Sequence, residues 1–212
     1  MDEKKIRLNP YDLVEKELKK DKAPFTILKP LVESQNTLKL LDYFKNSYVL
    51  WVYRDYKDVA SSNLKKFGLV NGINNLRPII NAEPHNWRSE GVSEEEKDLV
   101  FRYFSEDMKP HDAAVLFWYL RNNLFFRLKL DENPRVIMCK YEHLIENPKT
   151  VLARIYKICD QQFPGERISK EIHSKSIKKG KDIDISPEID LVANELLMKL
   201  DEAFYKKNPE YS

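Results

Sequence analysis

Arg54 and Ser62 are the residues whose types and spacing most directly suggest chemistry. The stretch around them reads Val52-Tyr53-Arg54-Asp55-Tyr56-Lys57-Asp58-Val59-Ala60-Ser61-Ser62. The arginine closes an apolar run, and Ser62 stands eight positions later on what reads as a helix leaving that run. A guanidinium fork gives bidentate, charge-assisted bonds, and a hydroxyl adds one further donor, a combination suited to a phosphate monoester. Spacing alone favours a surface arginine and a mid-helix serine. A second apolar run ends at Lys140-Tyr141-Glu142-His143-Leu144. Other chemistries lack their spacing. His85, His111, His143 and His173 are scattered, and Cys139 and Cys159 lie 20 apart without ligand-type neighbours. Each cysteine reads as a buried reduced thiol.

These residues need elements to position them. Tyr48 to Tyr53 is six consecutive apolar or aromatic residues, which predicts a strand buried on both faces, as in a parallel sheet. From Asp55 the period changes, and Val59, Ala60, Leu64 and Phe67 mark a helix. Arg135 to Tyr141 predicts another strand, and Thr26-Ile27-Leu28 a short one that Lys29-Pro30 stops. Asn9-Pro10 opens a helix with Leu13, Val14 and Leu18 on one stripe. Residues 68–92 hold three of the five glycines and two prolines and read as a long loop. A helix should start near Ser93, where Glu94, Glu95 and Glu96 suit its positive end. Pro110 to Leu130 is apolar on most sides, as in a buried helix. Asn147-Pro148 and Ser186-Pro187 each introduce one more, the latter with Ile189, Val192, Leu196, Leu200 and Phe204 at helical spacing. Strands alternating with helices indicate an α/β fold with a parallel sheet flanked by helices. Ligands of such sheets bind beyond the carboxyl ends of the strands. That rule selects Arg54 to Ser62 and Lys140 to Leu144.

With 212 residues, 42% of them hydrophobic, the chain suits one domain, and no linker-like stretch divides it. Lys and Arg total 36 against 34 Asp and Glu, a balance that argues against nucleic acid as a partner. The mixed charges from Glu15 to Lys22 read as a solvated helix face. Nothing near Met1 resembles a signal peptide and no stretch approaches membrane-span length, so a cytoplasmic protein is expected.

An arginine after an apolar strand, then Asp-Val-Ala and a serine eight positions beyond the arginine, resembles the 3′-phosphate-binding motif of sulfotransferases that use 3′-phosphoadenosine-5′-phosphosulfate (PAPS). Tyr141-Glu142-His143-Leu144, followed by Asn147-Pro148, resembles that family's Tyr-Glu-Asp-Leu and Asn-Pro segment, with His143 where the family has an acid. Lys29-Pro30, some 25 residues before Arg54, is also family-like, and Lys178-Lys179-Gly180 resembles an Arg-Lys-Gly segment that returns to the 3′-phosphate. The resemblance implies a P-loop-kinase-like fold and PAPS as donor, with adenosine 3′,5′-bisphosphate as product. It implies that Arg54, Ser62 and the Lys178-Lys179-Gly180 segment hold the 3′-phosphate and that Tyr141 contacts adenine. The acceptor would be a small molecule or glycan bearing a hydroxyl or amine.

One family feature is missing. Related enzymes hold the 5′-phosphosulfate with a Lys/Arg-Ser-Gly-Thr/Ser loop before the Lys-Pro strand, using backbone N–H groups at a helix N-terminus. The 28 residues before Lys29 contain no glycine. Arg88-Ser89-Glu90-Gly91 is no substitute, because three glutamates follow it closely and no strand precedes it. Sulfuryl transfer also needs a base for the acceptor's proton, and Glu33 is the carboxylate nearest Lys29. The expectation is therefore a domain over residues 1–212 that lacks its first strand, is N-terminally incomplete, and self-associates through unpaired strand edges. The alternatives are a non-catalytic adenosine-3′-phosphate-binding or protein-interaction module, and a nucleotide-binding fragment of the kinase type.

Overall fold

A computed structural model describes residues 10–23, 25–170, 172, 177, 180 and 183–211. Helices α1 (Tyr11–Leu18) and α2 (Thr37–Tyr43) lead to strand β1 (Val49–Tyr53). Four helices follow: α3 (Tyr56–Phe67), α4 (Asn71–Ile80), α5 (Glu94–Tyr103) and α6 (Pro110–Arg127). Strand β2 (Val136–Lys140) runs directly into α7 (Tyr141–Glu146), and α8 (Pro148–Ile158) and α9 (Pro187–Lys207) complete the order. The two strands pair in parallel, from Val49 opposite Val136 to Tyr53 opposite Lys140. The architecture is α/β, rich in helix, with a small parallel sheet.

The predicted helices form for local reasons. Ser93 and Glu96 close a reciprocal capping box at the start of α5, with Glu96 Oε2 accepting from the Ser93 amide at 2.8 Å. Pro110 and Pro187 occupy first helical positions, where a missing N–H costs nothing. Ser186, just ahead of α9, donates from its amide and its hydroxyl to buried Asp112 on α6, at 2.8 and 2.6 Å. Helix α6 buries Val115, Leu116, Leu120, Leu124 and Phe125 almost completely, as its all-round apolar sequence predicts. Each such side chain stabilises the fold by about 1.5–3 kcal/mol. The α6 rings reach the strand side: Phe125 lies 5.7 Å from Trp51, and Trp118 lies 5.5 Å from Tyr56.

Three expectations are corrected. Residues 68–92 are not one loop, because α4 occupies Asn71–Ile80 with Pro78 inside it. Ile73, Leu76 and Ile79 face the core, and Gly72 lets α4 approach α6 so closely that a Cβ there would stand 2.7 Å from the Ala114 nitrogen. The glycine that read as a breaker is a packing contact. Thr26-Ile27-Leu28 is not a strand. No neighbouring strand takes up its backbone bonds among the described residues, and Ile27 is 76% exposed. Finally, β1 is buried on one face only. Trp51 and Tyr53 point into the core, while Leu50 and Val52 are 42% and 48% exposed. Strand β2, by contrast, is covered on both faces from Val136 to Cys139. Burial pushes the Cys139 thiol up to about 12, as for a buried reduced cysteine. No helix among the described residues is long and apolar enough to cross a membrane.

Candidate functional site

Both strands end at the same level because they pair in register, so Arg54 and Tyr141 emerge side by side. The Arg54 guanidinium carbon lies 4.8 Å from the centroid of the Tyr141 ring, within cation–π range. Two bonds fix the backbone beneath them. The Trp118 indole N–H donates to the Arg54 carbonyl at 3.1 Å, and the Asp55 amide donates to Glu142 Oε1 at 3.1 Å. The second bond ties the turn after β1 to the turn after β2. Asp55 also caps α3, its side chain accepting from the amides of Lys57 and Asp58 at 2.8 and 3.1 Å.

Asp58 is the hub. It pairs with Arg54 at 3.1 Å, and the two side chains are 5% and 15% exposed respectively. Its other oxygen accepts from the buried Gly180 amide at 2.8 Å. Gly180 lies against the first turn of α3, where a Cβ would stand 2.7 Å from the Asp58 nitrogen. Only glycine brings the distant chain so close. Asp58 thus fixes the direction of the guanidinium and holds Gly180 beside the strand end. Ser62 is one turn further along α3 on the Asp58 face and is exposed.

Burial raises the Glu142 carboxyl above its ordinary range, against the lowering effect of bonds from its own amide and that of Asp55. Glu142 Oε2 finds no partner among the described residues. A guanidinium beside an aromatic ring can hold a phosphate monoester with an attached planar base.

The outlying strand-end tethers meet on α9. Tyr53 donates its hydroxyl to Asp201 at 2.7 Å, and Lys140 donates to both oxygens of the same carboxylate at 2.7 and 2.8 Å. Burial and Asp201 push the Tyr53 hydroxyl far up, so it remains a donor.

The chain matches the family model of the sulfotransferase domain over residues 16–208. It belongs to the sulfotransferase family. No curated protein and no solved structure matches it.

Of the residues singled out in the sequence, the sulfotransferase domain brings together Arg54, Tyr141 and Gly180, with Ser62 on α3 one turn beyond Asp58. Lys178 and Lys179 lie outside the described residues. Glu33 stands at the head of a 3-10 turn over Ser34–Asn36, where its carboxylate accepts from Asn36 at 2.9 Å. Sequence reasoning gave no role to Asp58 or Glu142. The opposite charges of Arg54 and Asp58 at i,i+4 were the available signal for the first.

His143, which replaces the family's acid, packs 4.2 Å from the Tyr211 ring and 5.8 Å from Phe204. Burial lowers its pKa, and Nε2 has no partner among the described residues. A folded pKa below the unfolded one means that the unfolded chain takes up the proton first as pH falls. The stability contributed by neutral His143 is present above the unfolded value of about 6.5 and is lost as pH drops from there towards the folded pKa. His143→Phe should therefore flatten the fall in Tm between roughly pH 7 and 5.5. An unchanged pH slope in thermal melts would remove His143 from the acid response.

Proposed function

We propose that the chain binds the adenosine 3′-phosphate end of PAPS between Arg54, Ser62, Tyr141 and the 178–180 segment. It then serves sulfuryl transfer from PAPS to a hydroxyl or amine. The observation behind this reading is the convergence on Asp58 of the Arg54 guanidinium and the Gly180 amide beside the Tyr141 ring. These groups suit the donor: a guanidinium for the dianionic phosphate, an aromatic side chain for adenine, and a glycine where the backbone must come close. PAPS supplies the sulfuryl group and leaves as adenosine 3′,5′-bisphosphate. Arg54 is held by Asp58 and needs no reorientation to receive the phosphate. Tyr141 is set by the turn that Glu142 bonds to Asp55. Glu33 is our choice for the base that takes the proton from the acceptor's hydroxyl or amine as the new bond to sulfur forms. On this reading the protein works in the cytoplasm on a small molecule or glycan. Residues 1–212 form one domain, and unpaired strand edges favour self-association.

One observation favours a second reading, a nucleotide-binding module without catalysis. The first glycine in the chain is Gly68, well after β1. Transfer of label from radiolabelled PAPS to a panel of phenols, alcohols, amines and sugars separates the two. Sulfated product at turnover on the order of 1 s⁻¹ supports the enzyme. Binding of adenosine 3′,5′-bisphosphate without product supports the module, and absence of nucleotide binding overturns both.

A further inference from the structure

A second cluster, built from other residues, surrounds Trp87. Arg88 and Arg121 stand over the Trp87 ring, their guanidinium carbons 4.6 and 5.5 Å from its centroid. Neither makes an ion pair with a carboxylate among the described residues, and both are spent on neutral oxygens. Arg88 donates to the Asn75 amide oxygen at 2.7 Å. Arg121 donates to the Trp87 carbonyl at 3.2 Å and to Gln35 Oε1 at 2.7 Å. The nearby acid, Glu90, is held off by an amide, because Gln35 donates to it at 2.8 Å while accepting from Arg121. Two positive charges therefore converge on one aromatic ring, and among the described residues neither is directly paired with a carboxylate. Burial lowers the Arg121 pKa to about 10, and the more distant charges of Glu96 and Glu90 offset this only in part.

The position ties this cluster to the Arg54 site. Arg121 is one turn along α6 from Trp118, whose indole bonds the Arg54 carbonyl. Gln35 is two residues from Glu33 in the same 3-10 turn. We infer that Trp87, Arg88 and Arg121 form the acceptor subsite, and that the acceptor carries an oxyanion, a carboxylate or sulfonate-type group, beside the hydroxyl or amine to be modified. Arginine pairs bidentately with such groups, and the pairing strengthens where water is scarce. That the ligand is an acceptor rests on the proposed sulfuryl transfer; that the cluster binds an oxyanion does not.

The test is a titration of the whole chain with 4-hydroxybenzoate, 4-hydroxybenzenesulfonate, glucuronate and the uncharged methyl ester of 4-hydroxybenzoate. Indole fluorescence follows binding, with Trp87→Phe to assign the signal. At least one anionic probe should bind, and about tenfold or more tightly than the neutral ester. Arg88→Gln and Arg121→Gln should each weaken it roughly ten- to a hundredfold while leaving the ester unaffected. Which probe wins distinguishes a phenolic acid from a sugar acid. Wild-type protein that binds charged and neutral probes alike, or binds none, overturns the inference whatever the variants do. Adenosine 3′,5′-bisphosphate is titrated in parallel. Nucleotide binding without probe binding defeats the subsite alone, and probe binding without nucleotide binding defeats the PAPS reading alone.

Discussion

Replacing Arg54 by alanine should weaken adenosine 3′,5′-bisphosphate binding by about 1.5–3 kcal/mol, the value of a hydrogen bond to a charged group. The effect has two parts. The phosphate loses its bidentate partner, and Asp58 is left buried without the cation that neutralises it. The second part acts on the fold as well, since breaking one side of a buried pair is destabilising, so Arg54→Ala should also lower Tm. Arg54→Lys separates the two contributions. It keeps a charge for Asp58 but gives up the planar fork, and should recover much of the Tm and less of the affinity. Ser62→Ala removes only a neutral, exposed hydroxyl and should cost less, about 0.5–1.5 kcal/mol. Calorimetric titration at fixed ionic strength measures all three. Equal affinity in wild type and Arg54→Ala would end the assignment of this crevice to the 3′-phosphate.

Gly180→Ala should damage stability and nucleotide binding together. The added methyl meets backbone, not a flexible side-chain end, at 2.7 Å from the Asp58 nitrogen. Either α3 shifts or the 180 region lifts away, and overpacking of this kind costs about 1–3 kcal/mol. Lifting would also break the 2.8 Å bond from the Gly180 amide to Asp58, loosening the carboxylate that aims Arg54. A Tm lower by several degrees, with a parallel loss of nucleotide affinity, is the expected pair of results. A variant with wild-type melting and wild-type affinity would show that the 180 region does not dock against α3 in solution.

The sequence made the strand ends legible because two apolar runs each stop at a residue with obvious chemistry, Arg54 and Tyr141. It also made α5, α6 and α9 legible through capping signals and unbroken periodicity. Helix α4 was hidden because Gly72 and Pro78 argue locally against a helix, whereas contact with Ala113 and Ala114 rewards one. The one-sided burial of β1 was hidden for a similar reason. Leu50 and Val52 are apolar whether or not anything covers them, so hydrophobicity cannot report the missing layer. Asp58 lay within the motif that named its neighbours, but its role depends on Gly180, 122 positions away. The arginines around Trp87 were invisible for the opposite reason. They come from separate segments, and only the packing of α6 against the 87–90 turn brings them to one ring.

The direct pairing of β1 with β2 also bears on how the molecule is made. The two strand-end turns are joined by a bond between residues 87 positions apart, and four helices must be threaded between them. Closing so long a loop is entropically unfavourable until the intervening helices have packed, and parallel pairings of this kind form slowly. Contacts such as those between α3, α4 and α6 are nearer in the chain and should form first. The Arg54–Tyr141 contact can exist only after the strands have met, so the crevice at the strand ends is among the last parts of the protein to be assembled.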